Sequence, residues 1–148
     1  MKPIQPPSEL NVNDFTLVFE DLTRIIIRLP STQKLSFTTL SVLHTLSRKS
    51  PMRLTELTAH EQVTQSGMTQ LVTRLERDGL VERRPDPKDG RVVQVHLTEQ
   101  GAAVIHSRRK ERIARMMKFA EGLAPEEMQA IASAIPALRR LVELGDQV

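Results

Sequence analysis

Between Thr64 and Thr98 the spacing of apolar residues switches from a helical to an alternating pattern within a few positions. Met68, Leu71, Val72 and Leu75 fall at i, i+3, i+4 and i+7, one face of a helix, with Thr64 placed to cap its start and Gly79 to end it. Beyond the glycine, Leu80 to Arg84 predict a strand, Pro85 to Gly90 a turn, and Val92 to Thr98 a return strand with Val93, Val95 and Leu97 inward. A helix running straight into a hairpin with a charged tip constrains the fold more than any other segment. The other faces of the helix carry Gln65, Ser66, Thr69, Gln70 and Thr73, groups of the size and polarity that reach base edges in a major groove. The hairpin tip would bring an arginine to the neighbouring minor groove or backbone.

The segments on either side complete a helical frame. A first helix is predicted from Glu9 to Leu29, ended by Pro30, with Phe15, Val18, Phe19, Leu22, Ile25, Ile26 and Leu29 at helical spacing. Its apolar surface is too broad for one stripe and calls for burial on more than one side. A second helix from Ser36 to Arg48 turns Phe37, Leu40, Leu43 and Leu46 inward. Met52 to Leu54 suggest a very short strand, Thr55 to Glu61 a third helix with Leu57 inward, and Gln62 to Thr64 the turn of a helix-turn-helix, with Val63 beneath it. Downstream, Thr98 can cap a fifth helix to Gly122, and Pro125, Glu126 and Glu127 start a sixth whose apolar side is Met128, Ile131, Ile135, Leu138 and Leu141. Residues 1–8, with three prolines and no periodicity, read as a flexible arm.

The expected class is therefore mainly α (α+β): a winged helix-turn-helix over residues 36–98, with N- and C-terminal helices, 9–35 and 99–148, forming a dimerisation region. The flanking helices are apolar beyond what a small domain could cover, and a homodimer is the simplest consequence. Two winged helices related by a two-fold axis suit a palindromic double-stranded DNA site with half-sites about one helical turn apart.

Composition narrows the function classes. The chain has no Trp, no Tyr and four Phe, so its core is aliphatic, and the aromatic platforms typical of single-strand nucleic-acid binding are missing. Without cysteine there is no disulfide, thiolate metal site or cysteine redox switch. His44, His60, His96 and His106 are scattered without ligand spacing, so neither a metal nor a cofactor is expected. No nucleophile with its base, paired carboxylates or phosphate-binding glycine loop marks an enzyme. No apolar h-region and no run of about 18 apolar residues occurs, giving the expectation of a cytoplasmic protein with no membrane partner. Net charge is +3, but residues 48–115 hold 14 of the 21 basic side chains against 9 acidic ones, which concentrates positive charge in the middle of the chain. That suits either a phosphate-facing surface or a solvated face.

Two motifs resemble the MarR family of bacterial transcriptional regulators, and the likeness covers nearly the whole chain. The run Ser66 to Pro87, SGMTQLVTRLERDGLVERRPDP, is similar to the family's recognition helix and first wing strand. Asp86-Pro87-Lys88-Asp89-Gly90-Arg91, followed by the strand ending at Leu97-Thr98, is similar to its D-x-R-D-x-R wing. Lys88 stands where the family often has arginine, which keeps the charge and loses the planar fork.

The resemblance implies a repressor that acts as a homodimer and contacts DNA through Thr64, Gln65, Ser66, Thr69, Gln70, Thr73, Arg74, Arg84, Lys88, Asp89 and Arg91. The polar side chains of the helix would meet base edges, Arg74 would anchor phosphate, and Arg91 would enter a narrow minor groove. Asp89 would steady either Arg91 or the turn. Arg77, Arg83 and Arg84 are each open to a phosphate contact or an intramolecular partner. Family members commonly release DNA on binding small aromatic or phenolic compounds where the dimer and DNA-binding parts join. His44 could line such an effector site or be a packed core histidine. The competing reading is a winged-helix architectural or protein-interaction module without sequence-specific regulation.

Overall fold

The computed structural model describes residues 9–31 and 33–147. The arm expected at residues 1–8 lies outside the described residues. In chain order the elements are α1 (Val12–Arg28), α2 (Phe37–Arg48), β1 (Met52–Arg53), α3 (Leu54–Glu61), α4 (Gln65–Arg77), β2 (Val81–Pro85), β3 (Val93–Leu97), α5 (Glu99–Ala120) and α6 (Pro125–Gly145). The chain divides into two compact units, residues 1–111 and 112–148.

Local chemistry sets the helix starts in the first unit. Asn11, Ser36 and Thr64 each sit in extended backbone and accept a hydrogen bond from the N–H three residues on, at 3.2, 3.2 and 3.1 Å. Helix α1 therefore begins three residues later than its apolar pattern suggested, because the cap rather than the periodicity fixes the boundary. Thr98 serves α5 in two ways: its hydroxyl accepts from the Gly101 N–H at 3.0 Å and donates to the Gly79 carbonyl at 2.6 Å. Gly79 has φ +76°, the left-handed backbone that ends a helix and that glycine adopts without strain.

The core of this unit is aliphatic. It is built from Val42, Leu43, Leu46, Met52, Leu57, Met68, Leu71, Val72, Leu75, Leu80, Val81, Val95 and Ile105, with Leu35, Leu54, Val63, Leu97 and Val104 half-buried against it. Helix α4 buries all four of the residues its spacing singled out. Helix α2 corrects the expected stripe: the buried set is Thr39, Val42, Leu43 and Leu46, while Phe37 is 68% exposed. Ser36 donates its hydroxyl to Thr39 at 2.9 Å, so the threonine enters the core with its polar atom satisfied, and the helix turns Phe37 outward.

The three strands form an antiparallel sheet in the order β1-β3-β2, with Met52 opposite Val95 and Arg84 opposite Gln94. Of the three residues expected inward on β3, Val95 is fully buried and Leu97 half-buried, whereas Val93 is exposed. Val93 pairs with Pro85 at the outer end of the hairpin, beyond the helices that cover the sheet base. Gly101, in the first turn of α5, packs against the hairpin base so closely that a Cβ there would lie 2.2 Å from the Leu80 carbonyl oxygen.

Helix α1 buries no residue, and Val12, Leu17, Val18, Phe19, Leu22, Ile25 and Ile27 are exposed along it. In the second unit, α6 also buries none; Met128, Ile131, Ile135, Leu141, Val142 and Leu144 are exposed, as are Ile113, Met116, Met117 and Phe119 of α5. Helix α6 starts at Pro125 and closes a capping interaction through Glu127, whose carboxylate accepts from the Ala124 N–H at 2.8 Å. It continues through Pro136.

Candidate nucleic-acid interface

Helix α4 divides its surface cleanly. With Met68, Leu71, Val72 and Leu75 turned into the core, Gln65, Ser66, Thr69, Gln70, Thr73 and Arg74 are exposed, as is the capping Thr64. The hydroxyls of Thr69 and Thr73 donate back to the carbonyls of Gln65 and Thr69, at 2.9 and 2.8 Å. Gly67 lies beneath the cap, where a Cβ would come within 2.9 Å of Thr64 Oγ1. The glycine is thus accounted for inside the first turn.

The wing is built on a buried carboxylate. Asp86 accepts from the Lys88 and Asp89 N–H groups at 2.7 and 3.3 Å through one oxygen. Through the other it takes Arg53 Nε at 3.0 Å and Gln94 Nε2 at 3.5 Å. The Lys88 N–H is the main reason its carboxyl is held below the usual 3.8, against an opposing cost of desolvation; the Asp89 N–H and Arg53 add to the lowering. The Asp86 N–H donates to Val92 O at 2.8 Å and the Val92 N–H to Asp89 O at 2.9 Å, closing the turn.

At the tip, Asp89 Oδ1 accepts from both the backbone N–H of Arg91, at 3.1 Å, and its guanidinium Nε, at 3.2 Å. Asp89 therefore steadies the turn and the arginine together. The Arg91 side chain remains 92% exposed, and Lys88 is exposed beside it.

All three arginines left open by sequence have intramolecular partners close by. Glu76 accepts the Arg83 N–H at 2.7 Å and the guanidinium Nε and Nη2 at 3.1 and 3.0 Å. Its pKa lies below 4.5, chiefly through the backbone N–H of Arg83. Arg77 reaches Asp78 at 3.3 Å. Arg84 meets Glu82 at 2.9 Å, and the hydrogen bond raises the arginine's pKa and lowers the glutamate's, yet both stay exposed on β2. Sequence reasoning did not assign roles to Glu76, Asp86 or Arg53. The only local signal was the Asp86-Pro87-Lys88-Asp89-Gly90 turn, whose first aspartate is suited to bind the following N–H groups.

His44 is half-buried on α2 and engaged with another group. An open groove of about 420 Å³ along α1 is lined by Glu20, Thr23, Arg24, Ile27 and Arg28, and His44 is not among them. Among the described residues no cluster of three or more His, Cys, Asp or Glu could hold a metal ion, and no helix is long and apolar enough to cross a membrane.

A helix-turn-helix whose second helix runs through a glycine into a three-stranded wing defines a winged-helix DNA-binding protein. Residues 35–93 match the model of the MarR family. An HTH-type transcriptional regulator of Mycobacterium bovis is 31% identical over 132 residues, covering 88% of this chain and 92% of the relative. The HTH-type transcriptional repressor IacR of Pseudomonas putida is 31% identical over 104 residues, 70% of this chain but only 58% of the repressor's own length. Among solved structures, YusO from Bacillus subtilis has a TM-score of 0.67 at 27% identity, covering 87% of this chain and 94% of that one. RV1404 from Mycobacterium tuberculosis shares the fold with a TM-score of 0.77 at 22% identity, covering 92% and 97%. The chain belongs to the MarR family, whose members are non-enzymatic DNA-binding transcriptional regulators.

Proposed function

We propose that this regulator is a repressor that binds a palindromic operator as a homodimer in the cytoplasm. Each protomer lays α4 in the major groove, with Thr64, Gln65, Ser66, Thr69, Gln70 and Thr73 toward base edges and Arg74 toward phosphate. Arg91 enters the adjoining minor groove, and Lys88 and Arg84 face the backbone. Asp89 acts through Arg91, accepting from its backbone N–H and its guanidinium Nε while the side chain stays 92% exposed.

The observation that carries this reading is the pairing of a polar, exposed α4 face with a wing whose outermost arginine is held at its base by Asp89. The exposed aliphatic residues of α1, and separately those of α6 and the end of α5, supply surface that a second copy would cover. A small aromatic or phenolic effector would act by binding better to an arrangement in which the two recognition helices are wrongly spaced, since a ligand indifferent to spacing shifts nothing.

Footprinting of full-length protein on DNA fragments selected from the source genome, together with sedimentation, tests the proposal. Two protected half-sites about 34 Å apart and a dimer in solution are expected. A monomer that coats duplex DNA without sequence preference would favour the architectural reading instead.

A further inference from the structure

From Gln65 to Thr73 no residue of α4 is charged; Arg74, Glu76 and Arg77 all fall in its final turn. The glutamate is taken up by Arg83 and the second arginine meets Asp78. The N-terminal part of a recognition helix is the part that meets base edges. In the major groove, guanine is read chiefly by arginine or lysine and the cytosine amino group by carboxylates, whereas glutamine pairs with adenine and an apolar contact marks the thymine methyl. The exposed N-terminal face of α4 thus carries neither the usual guanine reader nor the usual cytosine reader.

The two threonines sharpen this. Gln65, Thr69 and Thr73 follow one another at i, i+4 spacing, and each threonine hydroxyl donates to the carbonyl four residues back. Their hydroxyls are engaged with the helix, and the γ-methyl groups remain as the outward chemistry of that ridge. Ser66 and Gln70 form the parallel ridge. The exposed surface therefore offers two amides, two methyl groups and the Ser66 hydroxyl within about two turns, with no charge among them.

We propose that the protein reads a half-site with an A·T core, in which thymine methyls pack on Thr69 and Thr73 and adenine edges pair with Gln65 and Gln70. This rests on the placement of α4 in the major groove proposed above. An A·T-rich neighbourhood also narrows the minor groove and strengthens its attraction for an inserted arginine, the place given to Arg91.

Selection of randomised duplex DNA by the full-length protein, followed by replacement of individual thymines with deoxyuridine in the selected site, provides the test. Enrichment of a contiguous A·T core is expected. Loss of a contacted thymine methyl should weaken wild-type binding about fourfold, the equivalent of one methyl-sized apolar contact. Thr69→Ser, which keeps the hydroxyl and removes the methyl, should be insensitive to deoxyuridine at its own position and unchanged at the others. A selected core of G·C pairs, or equal deoxyuridine effects on wild type and Thr69→Ser at every position, overturns the inference while leaving the regulator reading intact. Absence of any enriched sequence overturns both.

Discussion

Glu76, in the last turn of α4, receives both the backbone N–H and the guanidinium of Arg83 on the wing strand β2, at 2.7 to 3.1 Å. One carboxylate thereby ties α4, the helix proposed to enter the major groove, to the first strand of the wing. The connecting chain is short, running through Gly79 and Leu80, so the added bonds fix the angle at which the hairpin leaves the helix. In the proposed complex, α4 and the wing tip reach DNA together only if their separation is held, and this charge-assisted contact would hold it.

Glu76→Ala should lower stability by about 1 kcal/mol, because the contact is charge-assisted but one-third exposed and partly screened. Urea unfolding measures the loss. DNA affinity of the still-folded variant should fall further than that of Arg77→Ala, whose Asp78 contact lies within a single turn of chain; equal losses would argue against the coupling of helix to wing.

Arg91→Ala should weaken binding by a similar factor across different operators and reduce the slope of log affinity against log salt by about 0.9, the contribution of one phosphate-scale contact. Asp89→Ala should give a smaller, salt-insensitive loss, since it removes the support and leaves the charge. Fluorescence anisotropy over a salt series separates the two. An unchanged slope in Arg91→Ala would remove the wing tip from the interface.

Acid should destabilise the fold through Glu76, Glu82 and Asp86, whose carboxyls all titrate below their ordinary values. Groups lowered in this way favour the folded state fully above the unfolded values of 4.5 and 3.8, and that contribution disappears as pH falls through the lower native values. Thermal unfolding from neutral pH downward should show a plateau and then a decline beginning near those values. Asp86→Asn should be less stable than wild type on the plateau and converge with it in acid.

Gly101→Ala should cost roughly 1 to 3 kcal/mol, the usual penalty for forcing an atom into a packed site. The new Cβ would meet the Leu80 carbonyl oxygen, a backbone atom that cannot swing aside, and Leu97 Cδ1 at 2.7 Å. Because Leu80 and Leu97 form the base of the wing, the variant should also bind DNA less tightly; thermal unfolding and anisotropy together read both effects.

Helices and hairpin were legible in the sequence wherever a cap or a period spoke for itself. Thr64, Gly79 and Thr98 mark their boundaries by side-chain chemistry that acts within a few residues. The stripe on α4 was unambiguous because it has no competing apolar position, while α2 offered Phe37 and Leu40 as well as Val42. The choice between them depends on how Ser36 and Thr39 satisfy each other, which hydrophobicity does not register. Asn11 likewise stood outside the apolar pattern of α1 and still set its start.

The sequence by itself determined the order of elements, the aliphatic core of the winged helix, the polar face of α4 and the arginine at the wing tip. These depend on spacing along a few turns of chain. Only the tertiary structure decided which charges serve the fold and which remain outward, because such assignments join residues far apart in sequence: Arg53 with Asp86, Ser41 and Thr45 with Glu61. Arg83 and Arg91 look alike in the chain. A carboxylate on the neighbouring helix engages one guanidinium, and the hairpin carries the other, braced by Asp89, out to where a polyanion can reach it.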